Sequence, residues 1–285
     1  MSLQPCHVKN VTIGSTDPLT PAPLVLIAGP CVLEDEATNH LIASTLVALC
    51  DELDMPLIFK ASFDKANRSS GRSRRGPGLD AGLGMLGRLR AEFDVPVTTD
   101  VHEPAQAAAV AETVDLLQIP AFLCRQTDLL QACGATGRAV NVKKGQFMSP
   151  AEMRHAIGKL QEVGAQNLLL TERGTFFGYN RLVNDFTGLG DLMELGPPVC
   201  FDVTHSTQLP GAGADVTAGR PERASLLARA AVAAGVDAVF IECHPDPSRA
   251  LSDGSTQQPL TALPGLLRTV QRVRAAVADA GIATR

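Results

Sequence analysis

The chain has 285 residues, 45% of them hydrophobic and 19% charged, enough to bury a sizeable core as one large domain or two small ones. A formal charge of -5, carried by interleaved acidic and basic residues, argues against a general nucleic-acid surface and leaves room for a local anion pocket. No apolar run approaches the roughly 18 residues needed to cross a bilayer, and the opening MSLQPCHVKN has neither a basic segment nor an apolar core, so the expectation is a cytoplasmic protein with small-molecule partners and no membrane.

In chain order, residues 6–14 (CHVKNVTIG) read as a small hairpin covering the bottom of a barrel. Short runs of Val, Ile, Leu and Phe then predict strands over 24–29, 56–60, 95–100, 114–119, 139–143, 167–171, 199–204 and 238–242. Helical patterns between them cover 36–52, 80–93, 150–163 and 220–234, and a closing helix covers 263–280. Eight strand-helix units fit an α/β fold of the (β/α)8 TIM-barrel type, a single domain over 1–285. A doubly wound sheet would need a glycine-rich turn after its first strand, which is missing. Stretches 62–78, 206–219 and 245–258 are too rich in Gly, Ser, Asp and Arg for a core; each follows a strand, so all three should rise from one barrel face.

Seven cysteines, at 6, 31, 50, 124, 133, 200 and 243, form no CxxC pair and read as reduced, mostly inert thiols. The absence of Trp and the single Tyr weaken any base-stacking or sugar-platform surface. GAGAD at 211–215 lacks the spacing of a dinucleotide fingerprint and the Lys-Ser of a P-loop, and no GxSxG elbow is present. The Asn67-Arg68-Ser69 sequon has meaning only in a secreted chain.

The strand ends carry the chemistry. They read GPC31, FK60AS, TTD100, LLQ118, NVK143K144, TER173, DVTH205 and IE242CH244, and a TIM barrel builds its active site at that end. Lys60, Lys65, Arg68, Lys143, Lys144 and Arg173 gather there in an otherwise acidic protein, and converging cations call for an anion to offset them. One group around Lys143 and Arg173 and another in KANRSS (65–70) predict two phosphate sites. Arg72, Arg74 and Arg75 read as solvated charge, and of the adjacent Lys143 and Lys144 only one should enter the barrel. Cys31, His205 and Glu242 end strands one, seven and eight, which closure makes neighbours, and Asp253 follows in SDGSTQ. This mixed soft and hard set suits a divalent Zn, Fe, Mn or Co ion, though residue type alone leaves His205 as a possible hydrogen-bonded strand-end histidine. His102 and His244 compete, as a helix-start and a loop residue.

The segments LIAGPC, FKASFDKANRSS, RGPGL, TDVHEP, LQIPAFLCRQTDLL, VNVKKGQF, TERG, FDVTHS and IECHPDP, in this order over nearly the whole chain, resemble the 3-deoxy-D-manno-octulosonate 8-phosphate synthases, also called 2-dehydro-3-deoxyphosphooctonate aldolases. The resemblance implies a cytoplasmic enzyme that condenses phosphoenolpyruvate with arabinose 5-phosphate, releases inorganic phosphate, and feeds lipopolysaccharide synthesis. It implies the metal-dependent class, because Cys31 stands where the metal-free class has Asn, and it makes His205, Glu242 and Asp253 the other ligands. It assigns Lys60, Ser62, Lys65, Gln118, Ala121, Lys143 and Arg173 to the phosphoenolpyruvate pocket, with Lys143 and Arg173 on its phosphate. Asn67, Arg68 and Ser69 become the arabinose 5-phosphate loop, with Asp100 near the substrates. Arg125 resembles an arginine reaching a neighbouring subunit's site, which implies a homotetramer. The rivals are the related synthase that uses erythrose 4-phosphate, whose loop reads more like KPRT, a sialic-acid-type synthase, and a non-catalytic sugar-phosphate-binding barrel.

Overall fold

The computed structural model describes residues 3–17, 22–66, 75–211 and 218–280. An antiparallel hairpin of β1 (Cys6–Val8) and β2 (Val11–Ile13) comes first. Strands β3 (Val25–Gly29), β4 (Leu57–Lys60), β5 (Val97–Asp100), β6 (Leu116–Ile119), β7 (Ala139–Lys143), β8 (Leu168–Glu172) and β9 (Val199–Asp202) then pair in sequence order, all parallel. A two-residue pair, β10 (Gln208–Leu209) with β11 (Ala218–Gly219), lies in the following loop. Strand β12 (Ala238–His244) closes the ring by pairing with both β9 and β3, and β13 (Gln258–Pro259) extends it alongside β12. Helices α1 (Glu36–Glu52), α2 (Leu79–Phe93), α3 (Ala107–Thr113), α4 (Thr127–Gly134), α5 (Met153–Gln161), α6 (Phe186–Met193), α7 (Ala224–Ala233) and α8 (Leu263–Asp279) follow the eight barrel strands one by one. This is the (β/α)8 barrel that the strand-helix alternation predicts.

Period-two alternation splits the buried residues into two cores. Outward positions such as Leu26, Phe59, Val97, Leu117, Val140, Leu170, Phe201 and Val239 pack under the helices. Inward positions Val25, Ile27, Ile58, Leu116, Ala139, Leu169, Cys200, Ala238 and Phe240 fill the lower barrel, and Cys6, Val8, Val11 and Ile13 of the hairpin belong to that same inner cluster. The hairpin is thus the apolar plug expected of it. Further along the strands from β4 to β12 the inward positions become Lys60, Asp100, Gln118, Asn141, Lys143, Thr171, Asp202 and Glu242. The interior is therefore apolar below and ionic above, and the change falls within one turn of the pleat.

Element limits depart from the sequence reading for local reasons. Strands β4 and β5 start at 57 and 97, each directly after a proline that has no N–H to give to a ladder. Strand β12 runs on to His244 because Cys243 and His244 pair with β13. The helices expected from 150 and 220 open instead as 3-10 turns, Pro150–Glu152 and Pro221–Arg223, the first fixed by a reciprocal Ser149–Glu152 capping box. Helices α3, α4 and α6, of seven or eight residues, are too short to show a periodic stripe in sequence. Among the described residues no helix is long and apolar enough to cross a membrane.

Gly29 ends β3 at φ 158°, and a Cβ there would sit 2.0 Å from the Lys60 carbonyl oxygen. Only glycine lets β3 approach the end of β4 this closely. Gly29→Ala should therefore lower the unfolding free energy by roughly 3 kcal/mol, as a backbone clash relieved only by moving a strand. Chemical denaturation checks this, and an unchanged midpoint would contradict it.

Candidate active site

A cavity of about 660 Å³ opens at the C-terminal ends of the strands. Its lining brings together eleven of the expected residues: Lys60, Ser62, Lys65, Asp100, Gln118, Ala121, Lys143, Arg173, His205, Glu242 and Asp253. Cys31 lies beside it, its Sγ 3.4 Å from Asp253 Oδ2. Arg125 is exposed, just past the 3-10 turn Ala121–Leu123, and is not part of the lining. Asn67, Arg68 and Ser69, assigned to the sugar-phosphate loop, lie outside the described residues. The described parts of all three loops expected on one face contribute to this cavity, through Lys65, Gly211 and Asp253.

The cations are not left waiting for an external anion, as their gathering in the sequence predicts. Lys60 Nζ pairs with Glu242 Oε1 at 2.8 Å and donates to the Cys31 carbonyl at 2.7 Å. Lys65 pairs with Asp253 at 2.5 Å, Lys143 with Asp202 at 2.7 Å, and Lys144 with Glu172 at 3.4 Å. A buried charge is tolerated only with such a partner, so each strand-end ammonium brings its own carboxylate from another strand or loop. Lys143 Nζ also stands 3.7 Å from the Phe240 ring centroid, and Lys60 Nζ 5.5 Å, so the top of the apolar plug is an electron-rich face turned to both cations. As pleating requires, Lys143 enters the cavity while Lys144 turns outward and donates to the Met148 carbonyl and Thr175.

Arg173 is the exception. Its Nη2 donates to Gln208 Oε1 at 2.6 Å, but Nη1 is buried with no partner among the described residues. Burial pulls the guanidinium's proton affinity down against the pull of Asp202 and Glu172, so an anion placed on Arg173 would relieve an unmet donor and a desolvated charge together.

The residues fit a divalent cation. Ligand atoms of Cys31, Glu242 and Asp253 lie within 4.8 Å of one another, and His205 Nε2 is 3.6 Å from Asp253 Oδ2 and 3.8 Å from Glu242 Oε1. Glu242 Oε2 is buried and has no hydrogen-bond partner among the described residues. His205 Nδ1 is held 2.7 Å from Asp202 Oδ2, while the other Asp202 oxygen accepts from the His205 N–H at 2.9 Å. A carboxylate on one ring nitrogen leaves the other free to act as a ligand. Lys65 Nζ, 3.1 Å from Cys31 Sγ, supplies part of the positive charge these donors require. Burial, then Asp253 and Glu242, push the Cys31 thiol well above its ordinary value, so a cation must displace its proton to bind.

Asp100 closes the far side of the cavity. Its Oδ2 accepts from Ser62 Oγ at 2.5 Å and its Oδ1 from Gln118 Nε2. Burial opposes its charge, but Lys60, His102 and Lys143 outweigh burial and hold the carboxyl well below the usual carboxylate range.

Two histidines differ from the sequence reading. His102 does not merely start a helical segment: it lines the cavity and meets Phe63 edge-on at 5.5 Å between centroids. His244 is not a loop residue but the buried last residue of β12, 3.4 Å from Glu34. Sequence reasoning missed Asp202, Gln208 and Phe240. The signal for Asp202 was its place three residues before His205, and for Phe240 its register two residues before Glu242; Gln208 carries no local signal.

The profile of the DAHP synthetase I family matches residues 7–278. A protein of Synechococcus named 2-dehydro-3-deoxyphosphooctonate aldolase is 54% identical over 257 residues, covering 90% of each chain. Proteins of the same name from Granulibacter bethesdensis and Koribacter versatilis are each 52% identical, over 93% and 96% of this chain and 94% and 98% of their own.

The ionised state of Asp100 has a measurable consequence. A carboxyl whose folded value lies below its unfolded value, about 3.9, contributes stability that is full above about pH 5 and is lost as pH falls toward the folded value. Asp100→Asn should lower stability at pH 7 and flatten the acid limb of stability against pH. Denaturation series between about pH 2 and 7 check this, and parallel limbs for the two proteins would contradict it.

Proposed function

The chain belongs to the DAHP synthetase I family, and from that premise we propose that it condenses phosphoenolpyruvate with D-arabinose 5-phosphate and water, giving 3-deoxy-D-manno-octulosonate 8-phosphate and inorganic phosphate for lipopolysaccharide synthesis. The observation that carries the reading on this chain is Arg173. In a rim where every lysine is matched by a carboxylate, its buried Nη1 alone among the strand-end cations lacks a partner among the described residues, and it lies in the cavity with Lys143. That pair supplies a bidentate donor and a point charge, the complement of a phosphate monoester.

In the reaction, C3 of the enol forms a bond to the aldehyde carbon, the aldehyde oxygen takes a proton, water adds to C2, and phosphate leaves with the C2–O bond electrons. The residues needed are ones that orient and neutralise, with no covalent nucleophile. Lys60 arrives charged: burial opposes this, but Glu242, Cys31 and Asp100 outweigh burial and raise its pKa, so it has a proton to give to the forming alkoxide. Its grip on the Cys31 and Pro30 carbonyls fixes the ammonium at the cavity floor. Lys143 and Arg173 hold the enol phosphate. Asp100, fixed by Ser62 and Gln118, faces the aldose, whose own phosphate falls to the loop carrying Asn67, Arg68 and Ser69.

We assign Cys31, His205, Glu242 and Asp253 to a divalent ion such as Zn, Fe, Mn or Co. The chemistry such an ion supplies is Lewis-acid polarisation of the aldehyde oxygen or of water. Asp202 sets the His205 tautomer for that role and anchors Lys143 with the same carboxylate, so one buried side chain aligns the ion's ligand and the phosphate's cation.

We further infer a homotetramer working in the cytoplasm. Arg125 is exposed beside the mouth, and Phe122, at the cavity rim, is 46% exposed; a neighbouring subunit would cover the ring and receive the arginine.

A phosphate-release assay tests the reading. Phosphoenolpyruvate with arabinose 5-phosphate should release phosphate far faster than with erythrose 4-phosphate; the reverse preference, or binding of both ligands with no release, would overturn it. Chelator should arrest the wild type, and Cys31→Ala should lose the ion and at least about 100-fold in rate. An undiminished rate in the chelator-treated variant would refute the metal assignment.

A further inference from the structure

Behind Asp100 and Gln118, in line with them, lie two buried polar side chains to which the reaction as described gives no role. Thr171 of β8 and Asn141 of β7 are both fully buried, and neither lines the cavity. The Thr171 hydroxyl donates to Asn141 Oδ1 at 2.7 Å, Asn141 Nδ2 donates to Gln118 Oε1 at 3.1 Å, and Gln118 Nε2 donates to Asp100 Oδ1. Asp100, Gln118 and Asn141 are direct cross-strand partners on β5, β6 and β7, so the line follows the inward row of the ladder.

The direction of this line is forced. An ionised carboxylate can only accept, so Gln118 must turn its NH2 toward Asp100. Its carbonyl then faces Asn141, which must answer with its own NH2, and the Asn141 carbonyl needs a donor at the far end. Thr171 is that donor. Its cross-strand partner Cys200 is within hydrogen-bond reach, and burial keeps that thiol protonated, so the hydroxyl has an S–H beside it and keeps its own proton for Asn141. Reversing one amide would set carbonyl against carbonyl or carbonyl against carboxylate among buried side chains, at the cost of a buried unmet group.

We propose that Thr171 and Asn141 are positioning residues, which fix the Gln118 amide with its NH2 toward Asp100 and thereby hold the Asp100 carboxylate in the orientation it presents to the aldose. The inference rests on the reading that Asp100 faces that substrate. A change at Thr171, three strands away, should therefore reach Asp100 through Asn141 and Gln118; because Thr171 is also the cross-strand partner of Lys143, KM for phosphoenolpyruvate reads any effect by that second route.

Steady-state kinetics of variants test it, with wild-type turnover of phosphoenolpyruvate and arabinose 5-phosphate as control. Without that turnover the functional reading itself fails. With it, Thr171→Val should lower kcat about tenfold while KM for phosphoenolpyruvate holds, because the side-chain bonds of Lys143 to Asp202 and of Arg173 to Gln208 do not use the Thr171 hydroxyl, and Thr171→Ser should restore kcat to within about twofold. In a Gln118→Met background the further change Thr171→Val should cost less than about twofold, since the amide it acts through is gone. Asn141→Asp can donate to Gln118 only when protonated, so its kcat should fall as pH rises where the wild type stays level. Equal losses for Val and Ser at 171, losses that multiply in the Gln118→Met background, or a wild-type pH profile for Asn141→Asp would each overturn the proposal.

Discussion

The molecule is organised by the difficulty of keeping positive charge inside a β-barrel. Each ammonium at the strand ends would cost several kcal/mol to bury alone, and each is matched by a carboxylate from a different element. Lys60 from β4 meets Glu242 from β12, Lys143 from β7 meets Asp202 from β9, and Lys65 meets Asp253 across the mouth. The first two pairs each span one intervening strand, β3 between β4 and β12 and β8 between β7 and β9, so Lys60 and Glu242 meet only when β12 closes on β3. The ionic rim and the closed barrel are one arrangement. What the rim leaves unmet is equally informative: a guanidinium nitrogen of Arg173 and a carboxylate oxygen of Glu242, one asking for an anion and the other for a cation.

Most of the fold is legible in sequence because an eight-stranded barrel spends each strand twice, outward into the helix layer and inward into the plug. Both faces are apolar at the bottom, so the runs around Leu26 to Ala28 and Leu168 to Leu170 read as continuous hydrophobic strands. The polar residue at the end of each run marks where the interior turns ionic. Short helices escape this reading, since seven residues of α3 show no stripe, and so do strand starts set by a proline.

The site is legible as residue types and much less so as partnerships. Lys60, Lys143, Arg173, His205 and Glu242 stand out at strand ends, but the sequence presents a crowd of cations and gives no sign of the carboxylates that offset them. Asp202 shows why. It lies in the FDVTHS segment and holds His205 locally, yet its second role, holding Lys143, depends on a residue two strands away on β7. Gln208 is still less visible, because its contact with Arg173 is made by a loop returning over the mouth. Long-range pairing of this kind is a property of the folded barrel and has no local pattern.

The same view separates what the barrel provides from what the ligands provide. The protein arrives with its lysines neutralised, its His205 tautomer set and its Asp100 ionised, so little reorganisation is left for the moment of reaction. The claim at the centre is that the enol phosphate completes this arrangement at Arg173. A crystal structure with phosphoenolpyruvate bound measures it directly. The account predicts the phosphate within hydrogen-bond distance of both Arg173 Nη1 and Lys143 Nζ, with the Lys143–Asp202 pair intact; a phosphate seated elsewhere while Arg173 Nη1 stays without a partner would contradict it.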